Sequence, residues 1–394
     1  MRRFFSSWAW LLALFSIAGF IETMFWGQMS GFTPLYLPKL GVAPEQVPTW
    51  TGAIAALSGA IGIPFLPLWG ALADRYARQP IIVRSFVAHL IAGVLAILAR
   101  NIWVFVLARA AMSFALGNSG LMMTTLTERA PRERQGLSFA IMNSAAPLGA
   151  FVGPLLGGPI VDKWGFPALI GVNTVLMAVV ILALSLGYRD SFRGTDRGPL
   201  FQMAVDSVRI IGQSSRLRVL FIALFILFAG WMIAFTYVPL AITALYSGDD
   251  PGTAIGIVLG AGGLVTLILS PVVGSLADRF GHWRVLIIGA AASVALWPLP
   301  ALTPNLVLFT IAWAALNGVM SGVFAISFSV LSDSATTEVR GRVMSFAYLP
   351  VNVGSMIGPA IGSVATQISV FAVFPVAAVL TALGVGMLAV ARRR

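Results

Sequence analysis

The sequence predicts an all-α polytopic membrane protein with twelve transmembrane helices in two pseudo-symmetric six-helix bundles. Three observations lead there. Hydrophobic residues make up 58% of the 394 and charged residues only 10%, against roughly 45–50% and about 25% in a soluble domain. The apolar residues fall in runs of about twenty, long enough to cross a hydrocarbon core of roughly 30 Å as helices. Finally, the chain repeats itself, and a repeat governs the rest of the reading. Gly70-Ala-Leu-Ala-Asp74-Arg75-Tyr-Ala-Arg78 returns after 204 residues as Gly274-Ser-Leu-Ala-Asp278-Arg279-Phe-Gly281-His-Trp-Arg284. Gly149-Ala-Phe-Val-Gly153-Pro154-Leu-Leu-Gly157-Gly158 returns after 205 as Gly354-Ser-Met-Ile-Gly358-Pro359-Ala-Ile-Gly362-Ser363. Period-two alternation is absent and glycine and proline sit inside the runs, which argues for helices and against a membrane barrel.

Twelve spans are expected in order, at about 8–37, 49–71, 80–99, 102–127, 137–160 and 167–188, then 217–245, 252–274, 284–302, 305–331, 343–366 and 368–391. They divide the chain into an N-terminal bundle over 1–188, a linker over 189–216 and a C-terminal bundle over 217–394. The linker is the one long polar interval, and its apolar spacing from Phe201 to Ile211 suits an interfacial helix. The N-terminus runs from Met1-Arg2-Arg3 into apolar residues without a small-residue cleavage site, so the first span is expected to be retained.

The basic residues set the orientation. With the N-terminus cytoplasmic, 21 arginines gather on that side, only Lys39, Arg100 and Lys163 face the other, and Arg109 lies within a span. This is the positive-inside pattern, with both termini cytoplasmic in a cytoplasmic (inner) membrane. It accounts for the net charge of +11 through anionic lipid, so no nucleic-acid partner is needed. With no cysteine and only His89 and His282 present, thiol chemistry, disulfides and a histidine metal centre are excluded or disfavoured. No Ser-His-Asp or phosphate-cradling pattern stands out, so neither an enzyme nor a cofactor is expected.

Six spans per half, each half starting on the same side, is a parallel repeat of the kind found in transporters that rock about a midplane site. The two Gly-x-Leu-Ala-Asp-Arg loops, after spans 2 and 8, resemble the signature loop of the major facilitator superfamily, and the resemblance covers essentially the whole chain. Ala77 and Gln79 depart from the family pattern, which has glycine and a base there; the second copy keeps Gly281. The resemblance implies a fold in which spans 1, 4, 7 and 10 line a central cavity. It also implies a gate in which Gly70, Asp74, Arg75 and Arg78 close the cytoplasmic side, with Asp278 and Arg279 acting more weakly. Asp74 lies at the C-terminal end of its helix, where the macrodipole disfavours a carboxylate, so it needs a partner. The alternative is a solvated turn that only fixes topology.

Gly149, Gly153 and Gly157, four residues apart, share one face with Pro154 and Gly158 behind them. This resembles the antiporter motif of proton-coupled exporters, although Ala140 replaces its upstream glycine. The copy at Gly358 and Pro359 favours plain helix packing as the alternative. Glu22 stands deep in span 1, and the matching stretch near Phe225 is apolar. An ionisable group at that depth is by default a functional hypothesis, the alternative being a neutral or merely ion-paired structural glutamate. Helix rise puts Arg109 of span 4 at a compatible depth as its partner. In the family Arg109 resembles the basic residue of a span 4 motif linked to proton movement, with Ser113 in place of the expected glycine.

Around this proton-coupling pair a cavity is expected from Trp26, Met29, Met112, Ser113, Trp231, Tyr237, Trp313 and Asn317. Few polar groups and many rings suit lipophilic compounds, cations among them, better than sugars. The reading is therefore a monomeric proton-coupled exporter resembling the multidrug efflux branch, with a small-molecule substrate, protons and membrane lipids as partners. A lipid, lysolipid, sugar or metabolite carrier on the same fold is the first rival. A non-transporting membrane receptor is the second.

Overall fold

The structure is a computed structural model and describes residues 7–65, 76–115, 118–190, 209 and 211–394. Among them ten helices are long and apolar enough to cross a membrane. In the first half these are span 1 (Trp8–Leu40), span 3 (Arg78–Leu98), span 4 (Ile102–Arg129), span 5 (Arg132–Trp164) and span 6 (Phe166–Gly187). The second half has span 7 (Ser215–Leu245), span 8 (Pro251–Phe280), span 9 (His282–Leu302), span 10 (Leu306–Ser334) and span 12 (Val370–Arg393). The helices Val47–Gly62 and Leu349–Ala365 lie at the places of spans 2 and 11. Each of the twelve expected positions thus carries helix among the described residues, the end of span 2 lying outside them. The interfacial helix expected over 201–211 lies outside the described residues apart from Arg209 and Ile211.

Sequence explains how the spans start and stop. Asn101 opens span 4 by accepting from Val104 N at 3.1 Å, and Asn305 opens span 10 by accepting from Leu308 N at 3.0 Å. Each bond satisfies one of the orphan N–H groups of a helix start. Spans 8 and 9 are joined through Gly281, whose φ of +92° would strain any residue with a Cβ. At the matching place before span 3, Ala77 has φ −55° and ψ 135°, so the departure from glycine comes with a different backbone.

Each half is packed around a glycine stripe. A Cβ on Gly149 would lie 2.6 Å from Phe20 O, and one on Gly153 would lie 2.8 Å from Met24 Cγ. A Cβ on Gly157 would stand 2.9 Å from Gln28 Nε2. Span 5 therefore lies backbone-close on span 1, four residues per step. Span 11 does the same on span 7, where a Cβ on Gly354 or Gly358 would be 2.9 Å from Ala229 N or 2.5 Å from Ala229 O. In both halves the stripe packs helices within a half, as small residues do where lipid provides no hydrophobic drive.

A buried amide network locks the first stripe. Gln28 Nε2 donates to Gly153 O at 2.5 Å, and Asn173 Nδ2 of span 6 donates to Gln28 Oε1 at 2.6 Å. The core of each half is otherwise aliphatic and aromatic, with Phe15, Phe25 and Phe32 of span 1 and Leu220, Leu224 and Phe228 of span 7 buried.

Candidate functional site

Glu22 is half-buried in span 1, and Asn118 Nδ2 donates to its Oε2 at 2.8 Å. Asn118 is the first residue of the last α-helical stretch of span 4. Helix Ile102–Met112 passes into a 3-10 turn at Ser113–Ala115, and α-helix resumes as Asn118–Arg129. A carboxylate in the middle of a membrane helix costs about 2.5–3.5 kcal/mol on insertion scales, which a charge-assisted bond partly offsets.

Arg109 is only 6% exposed and does not pair with Glu22, correcting the expected contact. Its Nη2 reaches Ser30 Oγ at 3.5 Å and its Nη1 reaches Met112 Sδ at 3.6 Å, both long contacts. Its Nε has no partner among the described residues. Ser30 lies eight residues beyond Glu22 on span 1, about 12 Å along the axis. The two charges therefore sit at different heights, and their interaction is through space. At an effective dielectric near 20 it amounts to roughly 1–1.5 kcal/mol.

The second half contributes rings and an amide. Trp231 Nε1 donates to Asn317 Oδ1 at 3.3 Å, while Asn317 Nδ2 donates to Thr266 Oγ1 at 3.1 Å and Gly262 O at 3.3 Å. Trp26, 42% exposed, stacks on Phe235 with centroids 5.5 Å apart, so spans 1 and 7 meet ring on ring between the halves. Trp313 is buried beside Phe235 at 6.5 Å. Met112 and Ser113 are buried near Arg109, Ser113 Oγ donating to Arg109 O at 3.3 Å.

Two expected cavity residues belong to packing instead. Met29 is wholly buried in the first-half core. Tyr237 is equally buried and donates to Pro359 O at 2.9 Å, clamped between Gly52 and Gly362. Sequence does not separate a cavity face from a packed face when both are apolar. Phe235 is hidden in the sequence for the same reason, whereas Ser30 and Thr266 are small hydroxyl residues with no pattern that marks them.

Of the expected gate, Gly70, Asp74 and Arg75 lie outside the described residues. Arg78 makes a fork with Glu128, Nη1 to Oε2 at 2.7 Å and Nη2 to Oε1 at 2.9 Å, and its backbone N donates to Asp190 Oδ2 at 2.6 Å. It thus ties span 3 to the ends of spans 4 and 6 within one half. Asp278 is exposed and faces His282 Nε2 at 3.3 Å, with Asp333 Oδ2 at 2.8 Å from the other ring nitrogen. Arg279 lies over the Phe280 ring at 5.3 Å.

The sequence matches the Major Facilitator Superfamily over residues 11–249 and again over 220–394. The chain belongs to the Major Facilitator Superfamily. It is a multi-pass membrane protein and a transporter rather than an enzyme. Its relatives include the multidrug resistance protein MdtG of Klebsiella pneumoniae (strain 342), 27% identical over 357 residues, covering 88% of this chain and 85% of the relative. MdtG of Enterobacter lignolyticus (strain SCF1) is 27% identical over 385 residues, covering 95% and 90%. The resemblance to the multidrug efflux branch therefore holds. Among solved superfamily structures, the nucleoside transporter NupG superposes with a TM-score of 0.77 at 15% identity, covering 98% of this chain and 99% of that one. A bacterial homolog of the human lysosomal transporter Spinster, inward-facing and unoccupied, superposes with a TM-score of 0.75 at 14% identity, covering 98% and 97%. At those identities the likeness concerns the fold alone.

Proposed function

We propose that this chain exports small lipophilic compounds, cations among them, in exchange for protons by alternating access. The observation that carries the proposal is Glu22. It is a carboxyl inside span 1 held by one amide donor, with a buried guanidinium about two turns away that has no carboxylate on it among the described residues. In this reading a proton arriving at Glu22 removes the negative charge that favours Arg109 and weakens the grip of Asn118. Substrate on the Trp26, Phe235 and Trp231 rings is then released as the halves re-orient. The names of the MdtG relatives support a drug-like cargo. The clustering of 21 of 25 basic residues on one side supports an inner-membrane orientation with both termini cytoplasmic.

The test is dye movement in proteoliposomes under an imposed pH gradient, wild type beside Glu22→Gln, with folding checked by the thermal transition. Gradient-driven transport of a lipophilic cation that Glu22→Gln uncouples is expected. A wild type indifferent to the gradient would overturn proton coupling.

One observation favours a second cargo. Span 2 and span 11 border an apolar groove of about 630 Å³, lined by Ala53, Leu57, Ala60, Met356, Ile361 and Val364 among others. Its walls suit an acyl chain, which makes a lipid or lysolipid the alternative substrate. Transport of a labelled lysolipid without response to a lipophilic cation would favour it.

A further inference from the structure

Span 8 starts with an incomplete cap. Its N-cap residue, Asp250, makes no side-chain cap bond, and Pro251 follows with no N–H to offer. The next two N–H groups are satisfied from the other half of the molecule. Asp162, at the far end of span 5, accepts from Gly252 N at 2.7 Å and from Thr253 N at 2.6 Å, and Thr253 Oγ1 adds a bond of 2.6 Å. Three short bonds to one carboxylate, at the positive end of a helix macrodipole, form a strong polar contact.

The backbone is shaped to allow this. A Cβ on Gly252 would lie 2.6 Å from Asp162 Oδ1, and one on Gly158 would lie 2.5 Å from Gly252 O. Below the carboxylate the two helices stay backbone-close. A Cβ on Gly260 would be 3.2 Å from Phe151 O, and one on Gly263 would be 2.5 Å from Phe151 N. The close approach thus covers residues 151 to 162 of span 5, roughly 17 Å of helix, ending at the carboxylate. Toward the arginine-rich ends of the same helices, Leu137, Leu276 and Phe280 are exposed.

We infer that Asp162 is a positioning residue of the transport cycle, a latch that holds the arginine-poor side shut by capping span 8 from span 5. Opening that side requires Asp162 to leave Gly252 and Thr253, so the latch sets the balance between the two faces of the cycle. The inference rests on alternating access as proposed above, and not on protons or on any cargo.

The chain has no cysteine, so spin labels can be placed without background. Labels at Leu98→Cys and Leu302→Cys, both exposed and at matching places in the two halves, report the separation on the latched side. Electron–electron distances are read in nanodiscs with no substrate and no gradient. In the otherwise native chain one short distance should dominate. Asp162→Asn should raise the ratio of long to short distances roughly tenfold, the scale of losing charge-assisted bonds. Thr253→Val should shift it less, and Asp162→Glu should restore part of the short population. A second pair within one half, Leu98→Cys with Val172→Cys, must keep its distance in every variant, which separates opening from misfolding.

Unchanged distances between the halves in Asp162→Asn and Asp162→Ala, with the control pair intact, would overturn the latch. Proton-driven dye transport could still hold in that case. Conversely, a proton-independent wild type with the expected distance shift would retain the latch and overturn only the coupling.

Discussion

Spans 4 and 10 begin with the same device and then differ. Asn101 and Asn305, 204 residues apart, cap them through bonds of 3.1 and 3.0 Å. Eight residues on, span 4 carries Arg109 and span 10 carries Trp313; after four more, Ser113 stands opposite Asn317. Span 4 then breaks into a 3-10 turn, whereas span 10 runs unbroken from Leu306 to Ser334. Spans 1 and 7 divide in the same way, with Glu22 in the first and an apolar stretch in the second. The duplication supplies the frame twice and the membrane charges once. Charge sits on the first half and a ring-and-amide surface on the second, so removing a group from either half tests the division of labour.

The largest effect is expected at Glu22. Glu22→Gln should lower gradient-driven efflux at least a hundredfold in proteoliposomes, while binding of a lipophilic dye, measured by fluorescence, changes only severalfold. Equal losses in transport and binding would place the residue in the substrate site and blur the division. Next come the glycine stripes, where the halves should behave alike. Gly149→Ala meets Phe20 O and Gly358→Ala meets Ala229 O, so each should lower stability by about 1–3 kcal/mol through overpacking. Thermal unfolding checks this, and a cost in only one half would break the equivalence.

A smaller effect is expected from Asn317→Ala, which frees Trp231 Nε1 and Thr266 Oγ1. Dye affinity should fall about three- to tenfold, in keeping with the loss of a bond worth about 1 kcal/mol, with the pH profile of transport unmoved. The smallest effect concerns a pair of tethers. Arg78 with Glu128 in the first half corresponds to His282 with Asp333 in the second. Arginine keeps its charge at every working pH, whereas histidine holds both carboxylates only when protonated. The second tether should therefore be present at low pH and lost as pH rises. His282→Arg should remove that dependence of the thermal transition, an effect of about 1 kcal/mol or less at a partly exposed pair.

Much of this was legible in the sequence. Repetition at 204–205 residues and the glycine spacing of span 5 are periodic signals, and they place helices reliably. Glu22 was legible because a carboxyl within an apolar run has no bland companion to hide among. Its partner was not. Helix rise gives a depth but no azimuth, and in the structure Asn118 rather than Arg109 bonds Glu22. Met29 and Tyr237 were misread because lipid-facing, core-facing and cavity-facing sides are all apolar in a membrane helix. Asp162 carries no sequence signal of its latch, since its partners lie 90 and 91 residues away in the other half.

Glycine against backbone leaves no side chain to change rotamer, so spans 1 and 5, like spans 7 and 11, hold together as stiff beams. In the proposed cycle a stiff half would turn as a lever. A tilt of about 10° about the midplane moves a point roughly 15 Å away, half a bilayer core, by about 3 Å. That is the length of a hydrogen bond. The same tilt hardly displaces what lies on the pivot, where the flat faces of Trp26 and Phe235 can slide without parting. A motion too small to disturb the middle of the molecule is therefore large enough to part bonds at its ends.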